Sequence, residues 1–265
     1  MSPIASFTRF RRELEQLPPQ HRQGGEYLEK HLVRFYDTYR FILRHYGAPR
    51  RLASFGAGSA YVEGALARLH QVQVVVFDFP AALEHHADLY DLLEFERVAV
   101  DLSQAETGPP LGEEVDLALF AEIIEHVPVP PSAQFAVNLR RLGASVPLVV
   151  TTPNSSSLRH LMKLLFMKPL LPPAERTFGE VCYENEGFHR REYVPAELRD
   201  AFEAVGQQML ALDYSWYHPP MRSAELAIYP LELLVGRFRP CMIAGSAPAE
   251  GAVSASQVRN ITRAA

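Results

Sequence analysis

The nine residues Leu52-Ala-Ser-Phe-Gly-Ala-Gly-Ser-Ala60 contain a short apolar run followed directly by two glycines. The apolar run has the length of a buried strand, and residues 59–69 after the glycines have the pattern of a helix. Gly56 and Gly58 carry no side chain, so the backbone between strand and helix can approach a ligand closely. The first turn of the helix adds N–H donors that suit an anionic or polar ligand. This stretch therefore predicts a strand, a ligand-binding loop and a helix.

Short apolar runs and helical stretches continue to alternate after this unit. Further strands are expected at residues 72–79, 97–100, 115–120, 146–151, 207–214 and 241–244, with helices at 81–93, 132–142, 195–205 and 223–238. Strands that are buried on both faces and separated by helices indicate a parallel sheet covered on both sides. The sequence thus predicts an α/β fold with a doubly wound, mostly parallel, seven-stranded Rossmann-like sheet.

The segments around this alternating region have patterns of their own. Residues 1–48 are expected to form an N-terminal helical cap, because apolar residues recur at three- and four-residue steps from about residue 26 to 46. The main domain is expected to span residues 49–245. Residues 154–192 interrupt the alternation and are interpreted as an inserted lid. Residues 246–265, rich in small residues, are expected to be a disordered tail.

Composition narrows the class of protein further. Hydrophobic residues make up 48% and charged residues 22% of the chain, as in globular proteins. The 26 basic residues against 31 acidic ones give a net charge of −5, which argues against binding to nucleic acid through bulk electrostatics. Two cysteines do not indicate a disulfide framework or a cysteine zinc site. No signal peptide is recognisable, and no apolar run approaches the roughly 20 residues of a membrane helix. These features predict a cytoplasmic protein without a transmembrane segment.

The residues around the glycine loop distinguish between two classes of nucleotide cofactor. A dinucleotide fingerprint needs a small residue three positions after the second glycine, and this chain has Tyr61 there. Asp78 closes the second predicted strand, where a carboxylate can accept both hydroxyls of a ribose. Asp101 follows the third strand, near the expected position of an adenine edge. Asp78 fits either cofactor, but Tyr61 makes a nicotinamide cofactor the poorer choice.

From about residue 50 to 245, the order of these motifs resembles the class I S-adenosylmethionine-dependent methyltransferases. The resemblance implies an S-adenosyl-L-methionine pocket formed by Phe55, Gly56, Gly58, Asp78, Phe79, Asp101, Leu102 and Glu122. The family usually carries an acidic residue two positions before the first glycine, where it helps to organise water near the methionine part of the cofactor. This chain departs from that pattern with Ser54.

A cluster of titratable residues follows the fourth predicted strand. Glu122, Glu125 and His126 have the i, i+3, i+4 spacing that puts side chains on one side of a helical turn. This turn follows the carboxyl end of a strand, where open α/β sheets bind their ligands. His189 lies on a later loop that is expected to return over the same pocket. Folding should bring an imidazole nitrogen of His189 within roughly 5 Å of the turn.

These residues allow two chemical interpretations. The pattern partly resembles the metal-dependent small-RNA 3′-terminal 2′-O-methyltransferases, which implies that Glu122, Glu125, His126 and His189 are ligands of a divalent metal. The acidic residue that precedes the late histidine in that family is Phe188 here. In a metal-free site, His126 or His189 would be the general base, with Glu125 beside it, because imidazole titrates near neutral pH.

The most direct functional expectation is an S-adenosylmethionine-dependent methyltransferase. It would methylate an oxygen of a small-molecule or sugar/lipid-type acceptor with a histidine base. A metal-assisted RNA 2′-O-methyltransferase is an alternative that the acidic net charge disfavours. A nicotinamide oxidoreductase is opposed by Tyr61, and a non-catalytic cofactor-binding subunit is favoured only by Ser54.

Overall fold

A computed structural model describes the chain over residues 3–17, 26–103, 114–170, 189–216 and 223–249. Part of the predicted lid, residues 171–188 with Phe188, lies outside the described residues, as do residues 250–265 of the predicted tail. The division into a cap, a main domain and a lid therefore stays a prediction.

Within the described residues, one sheet contains seven strands. They are β1 (Arg51–Phe55), β2 (Gln73–Asp78), β3 (Glu96–Ala99), β4 (Leu117–Ala121), β5 (Leu148–Pro153), β6 (Gln207–Ser215) and β7 (Cys241–Pro248). Their order across the sheet is β3-β2-β1-β4-β5-β7-β6. The first five strands are parallel, and β7 is antiparallel to both β5 and β6. The predicted seven-stranded, mostly parallel sheet is confirmed.

Nine α-helices occur in the same described ranges. They are α1 (Pro3–Glu15), α2 (Glu26–His45), α3 (Tyr61–His70), α4 (Pro80–His85), α5 (Ala87–Leu92), α6 (Pro131–Leu142), α7 (Leu158–Leu165), α8 (Pro195–Glu203) and α9 (Ser223–Leu234). A short 3₁₀ turn, Gly236–Phe238, follows α9. The single helix predicted at 81–93 is divided into α4 and α5 at His86. None of these helices is both long enough and apolar enough to cross a membrane.

Helices cover both faces of the sheet, as a doubly wound fold requires. On one face, the ring of Phe55 stacks between Phe77 and Phe120, with ring centroids 4.8 and 4.4 Å away. This core continues to Phe135 of α6 and Phe202 of α8. The other face holds a second core that joins the sheet to α1, α2 and α3. Burial on both faces explains why the central strands are continuous apolar runs rather than alternating ones.

The helices α1 and α2 pack onto the second core and reach β7. Phe41 is buried against β7, and the hydroxyl of Tyr46 donates a hydrogen bond to the carbonyl of Ser246 at 2.9 Å. A Cβ atom on Gly245 would lie only 2.3 Å from that hydroxyl oxygen. The prediction that a disordered tail begins at residue 246 is therefore wrong. The small residues of this segment permit close packing of β7 against α2, and β7 continues to Pro248.

The strand order places the functional region at the carboxyl edge of the sheet. The chain leaves β1 toward β2 and β3 on one side, whereas β4 and β5 lie on the other side. Ligands of open α/β sheets bind where the strand order reverses in this way. The loops that follow β1, β2 and β4 meet at this point, and they contain Gly56, Gly58, Phe79 and the segment from Glu122 to His126.

Candidate active site

The loop after β1 has a backbone geometry that favours small residues. Gly56, Gly58 and Ala60 have φ angles of +65°, +50° and +47°. Larger side chains rarely adopt this left-handed region without strain. The amide of Gly56 donates to the carbonyl of Phe77 at 2.9 Å, and the hydroxyl of Tyr90 donates to the carbonyl of Gly58 at 2.8 Å. The loop is thus fixed by contacts to β2 and α5.

The two glycines of the loop serve different purposes. A Cβ atom on Gly56 would lie 1.9 Å from Cδ1 of Ile123, so the turn after β4 packs where only a glycine fits. A Cβ atom on Gly58 would meet no described atom within 4 Å. The space beside Gly58 is open, and α3 begins three residues later, at Tyr61. This arrangement fits a ligand that approaches the backbone.

Asp78, the last residue of β2, places a carboxylate next to this loop. Only 4% of its surface is exposed. The carboxylate accepts hydrogen bonds from the amide of Phe79 at 2.8 Å and from the amide of Gly58. Burial raises the pKa of Asp78 to about 6, although these two hydrogen bonds act to lower it. Its position allows the carboxylate to accept hydrogen bonds from the hydroxyl groups of a ribose bound at the loop.

The other residues of the predicted cofactor pocket differ in their surroundings. The ring of Phe55 is buried in the core, so only its backbone is available to a ligand, whereas Phe79 is half-buried. Asp101 is exposed and accepts hydrogen bonds from the amide and hydroxyl of Ser103 at 2.9 and 2.5 Å. Leu102 beside it is buried. Asp101 therefore has the exposure that contact with an adenine edge requires.

The prediction that Glu122 shares one side of a helical turn with Glu125 and His126 is wrong. The segment after β4 forms turns rather than a helix, and Glu122 has a φ of +58°. This backbone conformation directs its carboxylate to the guanidinium of Arg34 in α2, at 2.8 Å, and to the hydroxyl of Thr151, also at 2.8 Å. Glu122 lies outside the candidate metal group and instead connects α2 to the end of β4.

Glu125, His126 and His189 lie together. One potential ligand atom from each residue lies within 4.8 Å of the others, and the two imidazole rings are 5.1 Å apart between centroids. The amide of Arg190 donates to the carbonyl of Glu125 at 2.7 Å. This backbone contact holds the late segment against the turn after β4. The expected approach of His189 to this turn is therefore present in the structure.

The carboxylate of Glu125 is fully buried in this group. One of its oxygens accepts a hydrogen bond from the hydroxyl of Thr152 at 3.0 Å. The other lies 3.9 Å from Nε2 of His126 and has no hydrogen-bond partner among the described residues. Burial, and then the nearby carboxylate of Glu122, raise the pKa of Glu125 well above its usual range. An oxygen in this position fits either a proton or a divalent cation.

Glu192 holds two imidazoles with its two carboxylate oxygens. Nδ1 of His189 lies 3.2 Å from one oxygen, and Nε2 of His160 lies 2.8 Å from the other. Nδ1 of His160 in turn lies 3.0 Å from the carbonyl oxygen of Asn154. Burial tends to raise the pKa of Glu192, but the hydrogen bonds with both histidines outweigh it and lower the pKa to about 2. The orientation of His189 is therefore fixed by an ionised carboxylate.

Three positioning residues could not be recognised in the sequence. Arg34, Tyr90 and His160 reach the site from α2, α5 and α7, which lie far from their partners along the chain. Each belongs to a helix whose pattern is explained by packing alone. His160 stands in the segment interpreted as a lid, and no local signal distinguishes it from a surface histidine.

Comparisons of the sequence with protein-family models and with curated proteins give no significant match. The structure, in contrast, is similar to many solved ones. The pyocyanin biosynthetic protein PhzM has a TM-score of 0.51 and 12% identity over 91% of this chain, which spans 62% of the PhzM chain. Magnesium protoporphyrin IX methyltransferase from Synechocystis PCC 6803, solved with bound S-adenosylhomocysteine, has a TM-score of 0.50 and 14% identity over 92% of this chain and 95% of its own.

A third similar structure is a S-adenosylmethionine-dependent methyltransferase from Archaeoglobus fulgidus. Its TM-score is 0.51, with 14% identity over 80% of this chain and 91% of its own. Sequence identity at this level carries the fold but not the activity, because one fold can support several functions. The chain thus has the fold of the class I S-adenosylmethionine-dependent methyltransferases.

Proposed function

We propose that the protein is a S-adenosylmethionine-dependent methyltransferase that acts on a hydroxyl group of a small-molecule or sugar/lipid-type acceptor. The observation that carries this proposal is the imidazole of His189, which Glu192 orients beside His126 at the carboxyl edge of the sheet. The glycine loop and Asp78 lie at the same edge. The proposed cofactor loop and a candidate base therefore lie at the same edge of the sheet.

The residues present fit the cofactor. Open space beside Gly58 admits the cofactor to the backbone of the loop, and Asp78 can accept the two ribose hydroxyls. Asp101 is exposed near the expected adenine edge, and Glu122 is held at the end of β4 by Arg34. When bound, S-adenosylmethionine supplies an electrophilic methyl group on a sulfonium. The protein must align an acceptor with this group and remove a proton from the acceptor.

We assign the removal of this proton to His189, because Glu192 orients its imidazole. Its Nδ1 faces Glu192, so the tautomer that donates from Nδ1 leaves Nε2 as the acceptor. As the acceptor oxygen forms its bond to the methyl carbon, the hydroxyl proton moves to Nε2 of His189. S-adenosylmethionine would supply the methyl carbon and keep the electron pair of its sulfur–methyl bond, so the chain's own part would be to hold the acceptor and take its proton. Glu192 then stabilises the imidazolium, as the buried carboxylate does in other carboxylate–histidine pairs.

A metal-assisted reaction at the same residues is the second candidate. Glu125, His126 and His189 offer a carboxylate and two imidazoles within 4.8 Å of one another, a donor set that divalent transition metals bind. Glu192 would then be the outer carboxylate that usually orients a metal-bound histidine. A metal held there would lower the pKa of the acceptor hydroxyl. The net charge of −5 favours a small acceptor over RNA in this version too.

Transfer of a labelled methyl group to a panel of small hydroxylated compounds tests the proposal. The His189→Ala variant should lower turnover by ~10²–10⁴-fold, because it removes the base. The matched control is His70→Ala, since His70 ends α3 at the opposite edge of the sheet and contacts Tyr39. Activity that resists EDTA supports the metal-free reaction, and loss that Zn²⁺ or Mn²⁺ restores supports the metal. Cofactor binding without transfer to any acceptor would support a non-catalytic binding subunit instead.

A further inference from the structure

A buried carboxylate lies directly beside Ser54, the residue that departs from the methyltransferase pattern. The hydroxyl of Ser54 in β1 donates a hydrogen bond to Oε1 of Glu63 in α3, at 2.5 Å. Ser54 is fully buried, and only 2% of Glu63 is exposed. The chain therefore has no acidic residue at position 54, but it brings a carboxylate to the same place from the following helix.

The charge of Glu63 has no cationic partner in the described part of the chain. Its hydrogen-bond donors are the hydroxyl of Ser54 and the backbone amides of Val62 and of Glu63 itself. None of the described arginine, lysine and histidine side chains forms an ion pair with it. Burial raises the pKa of Glu63 above its usual range, and the three hydrogen bonds only partly oppose this effect. A buried carboxylate without a cation is costly to ionise, and a ligand that provides a cation would favour its ionised form.

The position of this carboxylate limits which ligand can provide the cation. Ser54 lies two residues before Gly56, and Glu63 lies in the first turn of the helix that follows the loop. The Ser54–Glu63 pair thus lies at the base of the glycine loop. A ligand that binds at the loop and carries a positive group is therefore a candidate source of the cation. In S-adenosylmethionine and S-adenosylhomocysteine, the amino-acid part carries an ammonium group.

We propose that Glu63, held by Ser54, supplies the negative charge that binds the ammonium group of the cofactor's amino-acid part. This inference rests on the proposed function, because it requires the cofactor to bind at the glycine loop. It assigns to a helix residue the charge that the family pattern places on the strand. Ser54 then orients Glu63 rather than marking a degenerate pocket.

Calorimetric titration with two ligands separates this role from a structural one. S-adenosylhomocysteine carries the ammonium group, and 5′-methylthioadenosine lacks the whole amino-acid part. The isosteric Glu63→Gln variant should bind S-adenosylhomocysteine about tenfold more weakly, because an ion-assisted contact is lost. Its affinity for 5′-methylthioadenosine should stay within about twofold of the wild type. Equal weakening of both ligands, or no weakening of either, would overturn the inference.

A second variant and a third ligand provide two further tests. The double variant Ser54→Asp, Glu63→Gln returns the carboxylate to the strand, and it should regain most of the affinity for S-adenosylhomocysteine. The wild-type protein should bind the deamino analogue of S-adenosylhomocysteine about tenfold more weakly, which needs no variant to fold. Equal affinity of the wild type for both compounds would also overturn the inference. If the wild type binds none of these adenosine ligands, the proposed function itself fails.

Discussion

Two effects act on the protonation of the Asp78 carboxylate in opposite directions. Its burial at the end of β2 raises the pKa to about 6, which favours the neutral form as the pH falls. A ribose that donates two hydroxyl hydrogen bonds favours the ionised form instead. The cofactor can therefore bind well only when Asp78 has lost its proton, and cofactor affinity becomes sensitive to pH.

Affinity for 5′-methylthioadenosine, which has the ribose but not the ammonium group proposed to bind Glu63, should consequently be constant from about pH 8 to 7 and fall below pH 6. At pH 5 the protein should bind it about tenfold more weakly than at pH 8, because Asp78 must release a proton first. Titration calorimetry across this range measures the effect. The Asp78→Asn variant is the control: it should bind weakly, and the step near pH 6 should disappear. A step that persists in Asp78→Asn would assign it to another group.

Among single residues, sequence analysis identified those whose neighbours along the chain form a recognisable pattern. Gly56 and Gly58 come just after β1, and Asp78 ends β2, so the strand pattern alone indicates their positions. Arg34 and Glu63 gave no such signal. Arg34 meets Glu122 from 88 positions away, and Glu63 shares its helix with apolar residues that pack against the sheet. Their roles depend on tertiary contacts that a linear pattern does not contain.

Among the elements, α7 is attached to the rest of the protein by two adjacent side chains. His160 reaches Glu192 in the candidate active site, and Arg159 forms an ion pair with Glu232 of α9 at 3.1 Å. Glu232 is fully buried and also accepts a hydrogen bond from the indole of Trp216 at 2.9 Å. The helix that sequence analysis assigned to a lid thus contributes directly to the geometry around His189.

Replacing Arg159 should reveal how firmly α7 is attached. The Arg159→Leu variant leaves the carboxylate of Glu232 buried without its cation, and the free energy of unfolding should fall by about 3 kcal/mol. Arg11→Leu is a matched control, because Arg11 pairs with Glu15 on the surface and should contribute less than about 1 kcal/mol. Urea unfolding of both variants provides the comparison. Similar stabilities for the two would mean that the pair with Glu232 does not anchor α7.

The turn after β4 shows where spacing misleads at the scale of an element. An i, i+3, i+4 pattern places side chains on one face only if the backbone is helical. Glu122 takes a positive φ instead, and prolines at 128 and 130 stop a helix from forming before α6. Glu125 and His126 keep their predicted place near His189, whereas Glu122 turns toward Arg34.

In the whole molecule, the sheet topology brings every part of the site to one edge. The alternation of strands and helices predicted a parallel, doubly wound sheet, because burial on both faces leaves a visible apolar pattern. It could not predict that β7 inserts between β5 and β6, since pairing between strands is not encoded locally. Nor could it predict that α2 covers this region and contributes Arg34 to the end of β4.

Titration of the full chain with S-adenosylhomocysteine, with NAD as the competing candidate, tests the central claim most directly. We predict one-to-one binding of S-adenosylhomocysteine and no binding of NAD. In Gly58→Ala, the added Cβ would occupy the open space at a φ of +50°, and affinity should fall tenfold or more, by an order-of-magnitude estimate. Binding of NAD, absence of S-adenosylhomocysteine binding, or full affinity in Gly58→Ala would contradict a methyltransferase site at this loop.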